Sequence, residues 1–250
     1  MTEENLGREL TIAAVGDLHC RRTSRGTLHH LFTEMAAVAD VLLLCGDLTD
    51  YGLADEAQVL RGELARLSKP VLAVLGNHDF ESDQANEVTH ILSAGGINIL
   101  DGTTWELEGV GFVGVRGFGG GFGRQMLAPW GEPVIKEFVA EASRESMKLE
   151  AGLGKLATER RIVMLHYAPI AATVEGEARE VYPFLGSSRL EEPLNRFQVS
   201  AVFHGHAHYG TPEGKTRDGV PVFNVAAPLL HRVFPDRLPF RTFSLPKGPP

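Results

Sequence analysis

Three short apolar runs, each stopped by a glycine and then by a residue able to hold a cation, most constrain how this chain can fold. Leu10–Val15 runs into Gly16-Asp17, Val41–Cys45 into Gly46-Asp47, and Val71–Leu75 into Gly76-Asn77. Short apolar runs rich in β-branched residues and bounded by turn signals read as buried strands. Between them, apolar residues recur at helical spacing. Leu28, Leu31, Phe32, Met35 and Val38 do so within 27–39, and Val59, Leu60, Leu64 and Leu67 within 55–67. Residues 83–94 predict a third helix. This β-α-β-α-β-α alternation predicts parallel strands joined by right-handed crossovers. In such sheets ligands bind beyond the carboxyl ends of the strands. Asp17, Asp47 and Asn77 are therefore expected at one edge of one sheet.

The rest of the chain continues the pattern less regularly. Residues 97–100, 104–107 and 111–115 read as short β segments around Asp101-Gly102 and Glu108-Gly109 turns. From Val134, apolar residues at Ile135, Phe138, Val139, Ala142, Leu149, Leu153 and Leu156 predict a long amphipathic helix, frayed or broken at Gly152 and Gly154. Residues 161–165 predict a strand leading into His166. A loop follows over 169–186, then a short helix over 188–197. A strand over 199–203 leads into His204–His208, and strands over 220–226 and 240–245 close the chain. No repeat of fixed period and no linker divides the sequence, so one domain over 1–250 with two layers of sheet is expected.

Five motifs thus sit at predicted strand ends. They are Asp17-Leu18-His19, Gly46-Asp47, Gly76-Asn77-His78-Asp79, His166, and Gly205-His206-Ala207-His208. Mixed carboxylate, imidazole and amide donors suit Mn, Fe, Zn, Ni or Co better than an all-oxygen calcium site. No zinc-finger spacing of cysteines is present. Taken singly, Asp or Asn after a strand is commonly a helix cap, and a lone His at a strand end is commonly a packed side chain. All five in order, each after a strand, carry the signal.

The order DxH … GD … GNHD … H … GHxH resembles the calcineurin-like metallophosphoesterase superfamily, and it extends from Asp17 to His208. The resemblance implies an α/β fold of two packed mixed β-sheets flanked by helices, a four-layer αββα sandwich. It implies a dinuclear metal-dependent phosphoric ester hydrolase. Asp17, His19 and His208 would hold one transition-metal ion, Asn77, His166 and His206 the other, and Asp47 would bridge both. A carboxylate bridge offsets the repulsion of two cations roughly 3.5–4 Å apart, and a water between them becomes a hydroxide nucleophile for in-line attack. His78 would serve the leaving oxygen as general acid, or stabilise the phosphoryl oxygens, with Asp79 orienting its ring.

Departures from the superfamily narrow the substrate. Its protein Ser/Thr phosphatases carry an arginine in GDxVDRG and have GNHE. Here the stretch reads Gly46-Asp47-Leu48-Thr49-Asp50-Tyr51-Gly52, and Asp79 replaces that Glu. A phosphoprotein substrate is therefore not expected. The GNHD form resembles the phosphodiesterase-like branch, which implies a monoester or diester of a small molecule or nucleotide. Two rival readings are a nuclease and a catalytically weak scaffold of the same fold. The net charge of -8 opposes nucleic acid as a partner, and the complete ligand set opposes the scaffold.

Other residues carry weaker readings. Asp50 suits support of the ligands or capping, and His204 suits support of His206 or a packing role. His29, His30, His90 and His231 fit no motif and read as surface or packing residues. Cys20 and Cys45 read as packed thiols. The Gly-rich stretch Arg116–Gly123 lacks dinucleotide spacing and opens no helix. It reads as a surface loop, or as a candidate lid over 116–133. In the lid reading Phe118, Phe122 and Trp130 form an apolar wall and Arg116 or Arg124 faces the phosphate. Tyr167 and the loop 175–186 are further candidates for shaping the pocket. Two cysteines, a polar acidic beginning and no apolar run of membrane-spanning length lead us to expect a cytoplasmic protein without disulfides or membrane contact.

Overall fold

The computed structural model describes residues 9–247. Strand β1 (Glu9–Val15) shows why the chain builds layers. Leu10, Ile12 and Ala14 pack to one side, Ala13 and Val15 to the other, and all five are buried. A strand apolar on both faces needs cover on both. On one side the cover is helical: α1 (His29–Val38), α2 (Ala54–Leu64) and α3 (Ala85–Ala94). On the other it is a second sheet.

The first sheet has the order β11-β1-β2-β3-β4, with β2 (Val41–Cys45), β3 (Val71–Val74), β4 (Asn98–Ile99) and β11 (Arg241–Pro246). Its strands are parallel except β11, which runs antiparallel to β1. The second has the order β5-β6-β7-β8-β10-β9. Here β6 (Val110–Gly114), β7 (Arg160–Met164), β8 (Ala201–His204) and β10 (Pro221–Asn224) are parallel. Antiparallel β5 (Thr104–Leu107) and β9 (Glu213–Lys215) flank them. Phe112, Ile162, Met164 and Phe203 of this sheet face Ile12, Leu43 and Leu72 of the first. The outer face of the second sheet packs under α4 (Pro133–Leu153) and α6 (Glu191–Arg196) through Val113, Val163 and Val202 against Leu149, Leu153 and Leu194. The result is the expected α/β sandwich, two mixed sheets flanked by helices.

Local departures from the sequence reading have physical causes. The strand expected over 97–100 is the two-residue edge strand β4, because Leu100 turns inward at the Asp101-Gly102 turn. Gly152 does not break α4. It lies against Val113 and the Gly102 carbonyl, where a side chain would clash, and the helix ends after Leu153. Three elements were not foreseen: β9, the one-turn α5 (Tyr182–Leu185) and α7 (Ala227–Val233). Each is too short to show a hydrophobic period. No helix among the described residues is long and apolar enough to cross a membrane.

The inter-sheet core gives a direct stability prediction. Phe203 is fully buried and touches the rings of Phe223 and Phe243. Phe203→Ala should cost about 3–5 kcal/mol, as aromatic truncations in packed cores do. Urea denaturation with a loss under about 1 kcal/mol would contradict this packing.

Candidate metal centre

Every expected ligand arrives at the carboxyl edge of the sandwich. Asp17 and His19 follow β1, Asp47 follows β2, and Asn77 follows β3. From the second sheet, His166 follows β7, and His206 and His208 follow β8. Their ligand atoms fall into two groups, each within 4.8 Å: Asp17, His19 and His208, then Asp47, His166 and His206. Asn77 joins the second, its Oδ1 2.9 Å from His166 Nε2. Asp47 reaches both groups. Its Oδ1 is 3.3 Å from His166 Nε2, and its Oδ2 is 3.9 Å from His19 Nε2.

The donor set fits cations, and the hydrogen bonds show why. The tautomer of His166 whose Nδ1–H donates to the Cys45 carbonyl, 3.1 Å away, is the one that can coordinate through Nε2. Nε2 lies 2.9 Å from Asn77 Oδ1 and 3.3 Å from Asp47 Oδ1, so the three atoms converge on one point that a cation could occupy. His206 spends its Nε2–H on the Phe184 carbonyl at 3.1 Å, which leaves Nδ1 as its donor atom. Both ring nitrogens of His19 are buried without a hydrogen-bond partner. Buried ring nitrogens without a partner are costly unless something such as a cation meets them.

Electrostatics prepare the same residues. Burial alone would raise the Asp17 carboxyl. The His208 hydrogen bond, the nearby His166 and His208 charges and the His206 amide outweigh it and hold the pKa down at about 2. Burial, reinforced by neighbouring imidazoles, lowers His206 to about 3, and it lowers His19 as well. Those two rings are therefore neutral and able to coordinate at neutral pH. Burial raises Asp47, which His166 and the His78 amide only partly oppose. A bound cation would favour the ionised form. The backbone is also strained here. Asp17, His19, Asp47 and His206 all have positive φ, from 44° to 72°. Such conformations cost non-glycine residues roughly 1–3 kcal/mol each and cluster at functional sites.

Comparison with known proteins agrees with this geometry. The family model for calcineurin-like phosphoesterases matches residues 10–210. The chain belongs to the calcineurin-like phosphoesterase family. Among solved structures, the phosphopantetheinyl hydrolase of Mycobacterium tuberculosis aligns at a TM-score of 0.69 with 16% identity, covering 95% of this chain and 97% of that one. A Thermus thermophilus protein aligns at 0.59 with 15% identity, covering 94% and 99%. At such identities the likeness is one of fold. No curated protein matches the chain in sequence. Membership supports metal-dependent hydrolysis of phosphate esters.

Around the candidate ligands of this phosphoesterase, the structure corrects one role and assigns others. The Asp79 carboxylate makes no hydrogen bond to the His78 ring. It is fully buried and accepts bonds from the amides of Leu48, Thr49 and Gly76 and from the Thr49 hydroxyl, at 2.6–3.2 Å. It therefore staples the second and third motif loops together. The His78 ring is instead held by Asp50, whose carbonyl accepts from Nδ1 at 2.7 Å. Burial lowers the His78 pKa, but this bond and the charges of Asp47, Asp50 and Glu81 outweigh it and raise it. Asp50 also sets one carboxylate oxygen 3.3 Å from His19 Nδ1. His204 does not reach His206. It bonds the Gly205 carbonyl and the Thr173 hydroxyl, both at 2.8 Å, and so braces the loop.

Sequence reasoning missed Asn224 and Thr173. Asn224 Nδ2 donates to the Thr173 and Ala207 carbonyls and thereby holds the His206–His208 turn. No motif marks either residue. The Gly-rich stretch is not free: Gly120 and Gly121 donate to the Pro183 and Gly186 carbonyls. Phe118 and Tyr167 pack together, and the Tyr167 ring lies tilted against His206 with centroids 4.5 Å apart. Arg116 does not face the ligands. It pairs with Glu141 at 2.6 Å and lies over Phe80. Arg124 and Trp130 are exposed. The remaining unassigned histidines, His29, His30, His90 and His231, are exposed, and both cysteines are buried.

Close approach at two motif glycines yields a test. A Cβ at Gly76 would overlap the Asp47 amide and carboxylate and sit 2.8 Å from His166 Cε1. At Gly205 it would overlap the Asp17 carboxylate and sit 2.8 Å from the Cys45 carbonyl. We expect manganese to raise the melting temperature of the wild-type protein. Gly76→Ala and Gly205→Ala should blunt that rise and lower bound metal by elemental analysis. Full metal content in either variant would contradict the packing described.

Proposed function

We propose that this phosphoesterase hydrolyses a monoester or diester of phosphate on a small molecule or nucleotide, at a dinuclear metal centre. The observation that carries the reading is the Asp47 carboxylate, with one oxygen toward each ligand group. When bound, two ions of the Mn, Fe, Zn, Ni or Co kind lower the pKa of coordinated water and neutralise phosphoryl charge. Asp17, His19 and His208 are the residues for one ion, and Asn77, His166 and His206 for the other. Asp17 and Asp47 supply two negative charges, while Asn77 contributes a neutral oxygen. Against two divalent cations the site stays net positive and suits an anionic ester.

His78 is the proton donor in this reading. Its amide donates to Asp47 Oδ1 at 2.9 Å, which holds the residue beside the bridge. With Nδ1 committed to the Asp50 carbonyl, Nε2 is the nitrogen left to protonate the leaving oxygen. The absence of an arginine at Tyr51, after Asp50, supports a small ester over a phosphoprotein. Free, buried Cys20 and Cys45 support a reducing compartment, the cytoplasm.

The test is hydrolysis of a chromogenic monoester beside a chromogenic diester by metal-loaded protein. Turnover of at least one is expected, and chelation should abolish it. His78→Ala should retain both metals and lose activity by about 10²–10⁴-fold. Loss of metal in that variant would overturn His78 as a non-ligand. Absence of turnover with all five metals would overturn the enzymatic reading.

A further inference from the structure

We propose that Arg21 binds substrate, and that the substrate carries a second anionic group of the phosphate class beyond the phosphate being cleaved. This rests on the phosphoesterase reading above. Arg21 stands two residues after His19, and its Nε donates to Asp50 Oδ2 at 2.8 Å. The other oxygen of that carboxylate lies 3.3 Å from His19 Nδ1, and the Asp50 carbonyl holds the His78 ring. One residue thus joins a metal ligand, the proton donor and a guanidinium.

The anchoring leaves the useful part of Arg21 free. The Nε bond employs one of five N–H donors. Among the described residues, the terminal nitrogens of Arg21 make no hydrogen bond to protein. The side chain is 60% exposed, whereas its Asp50 anchor is 8% exposed. A guanidinium fixed through Nε presents its terminal nitrogens as a planar fork, the geometry that matches phosphate oxygens. The loop beneath it is rigid. Arg21 and Ser24 close a turn with bonds of 2.9 and 3.0 Å, and Glu63 accepts from the Gly26 and Leu28 amides. Little ordering is needed on binding, which favours affinity.

Position selects the ligand. His19 turns Nε2 toward Asp47 and Nδ1 toward Asp50, so an imidazole and a carboxylate separate Arg21 from the bridge. The guanidinium is therefore linked to the bridge only through Asp50 and His19, which in this proposal sets it against a substrate group other than the phosphoryl held by the cations. Residues 21–25 also hold Arg22, which pairs with Asp55 at 3.3 Å, and Arg25, with no acid within the segment itself, in a chain of net charge -8. A diphosphate or a second phosphate suits this loop, and an uncharged leaving group would leave the fork unused.

The experiment titrates manganese-loaded protein calorimetrically with methylenediphosphonate, a non-hydrolysable diphosphate, and with orthophosphate, with metal content checked before and after. Arg21→Ala should weaken the diphosphonate about 10–100-fold, the loss expected of a charge-assisted pair. Orthophosphate should change less than about 3-fold, and metal content should not change. Arg21→Lys, which keeps the charge but not the fork, should recover part of the affinity. Equal weakening of both anions, no weakening of either, or loss of metal from Arg21→Ala would each overturn the proposal while leaving the phosphoesterase reading intact. A wild-type protein that binds neither metal nor either anion would overturn both.

Discussion

The carboxylate of Asp47 lies between two groups of acceptors, and the rest of the site is arranged around that fact. Asp17 and Asp47 are both buried. Removing an ionised carboxylate from water costs several kcal/mol even after relaxation. Protein donors offset part of this: the His206 amide and His208 ring for Asp17, the His78 amide for Asp47. They leave both ring nitrogens of His19 without a partner. Bound cations would supply what is missing, and their binding free energy would support the strained backbone at four of the candidate ligands.

The sandwich delivers this arrangement through its loops. Strands from both sheets end at the same edge, and backbone bonds tie the loops in sequence. Asp17 donates to Gly46, His19 to Asp47, Gly205 to His166, and Gly16 to Val225, at 2.8–3.2 Å. Ligands carried by two sheets are thus fixed to one another before any ion binds. Asp79 and Asn224 continue the network one layer deeper, through buried bonds to motif backbones. The proposed bridge would depend on this preorganisation, because misplaced ligands could not share it.

Much of this was legible in the sequence because strand periodicity and ligand type coincide. Each of the first three apolar runs stops at the residue it presents, so Asp17, Asp47 and Asn77 could be placed on one edge without coordinates. His166, His206 and His208 followed from ordered motifs. Supporting roles were less legible because they depend on direction within short turns. Asp79 is adjacent to His78, yet on their 3-10 turn Asp79 points into the protein and His78 toward Asp50. Asp50 acts through its carbonyl as well as its carboxylate, and no residue type encodes a carbonyl contact. Arg116 was drawn toward the phosphate by its charge, but Glu141 on α4, distant in sequence, holds it. Helix α7 was missed because its seven residues give no readable period.

Asp47 is proposed to bridge two metal ions. Anomalous diffraction from crystals of the manganese-loaded protein tests it most directly. Two peaks roughly 3.5–4 Å apart, with the Asp47 carboxylate contacting both, are the result the account predicts. A single peak, or two peaks of which Asp47 touches one or none, would contradict it.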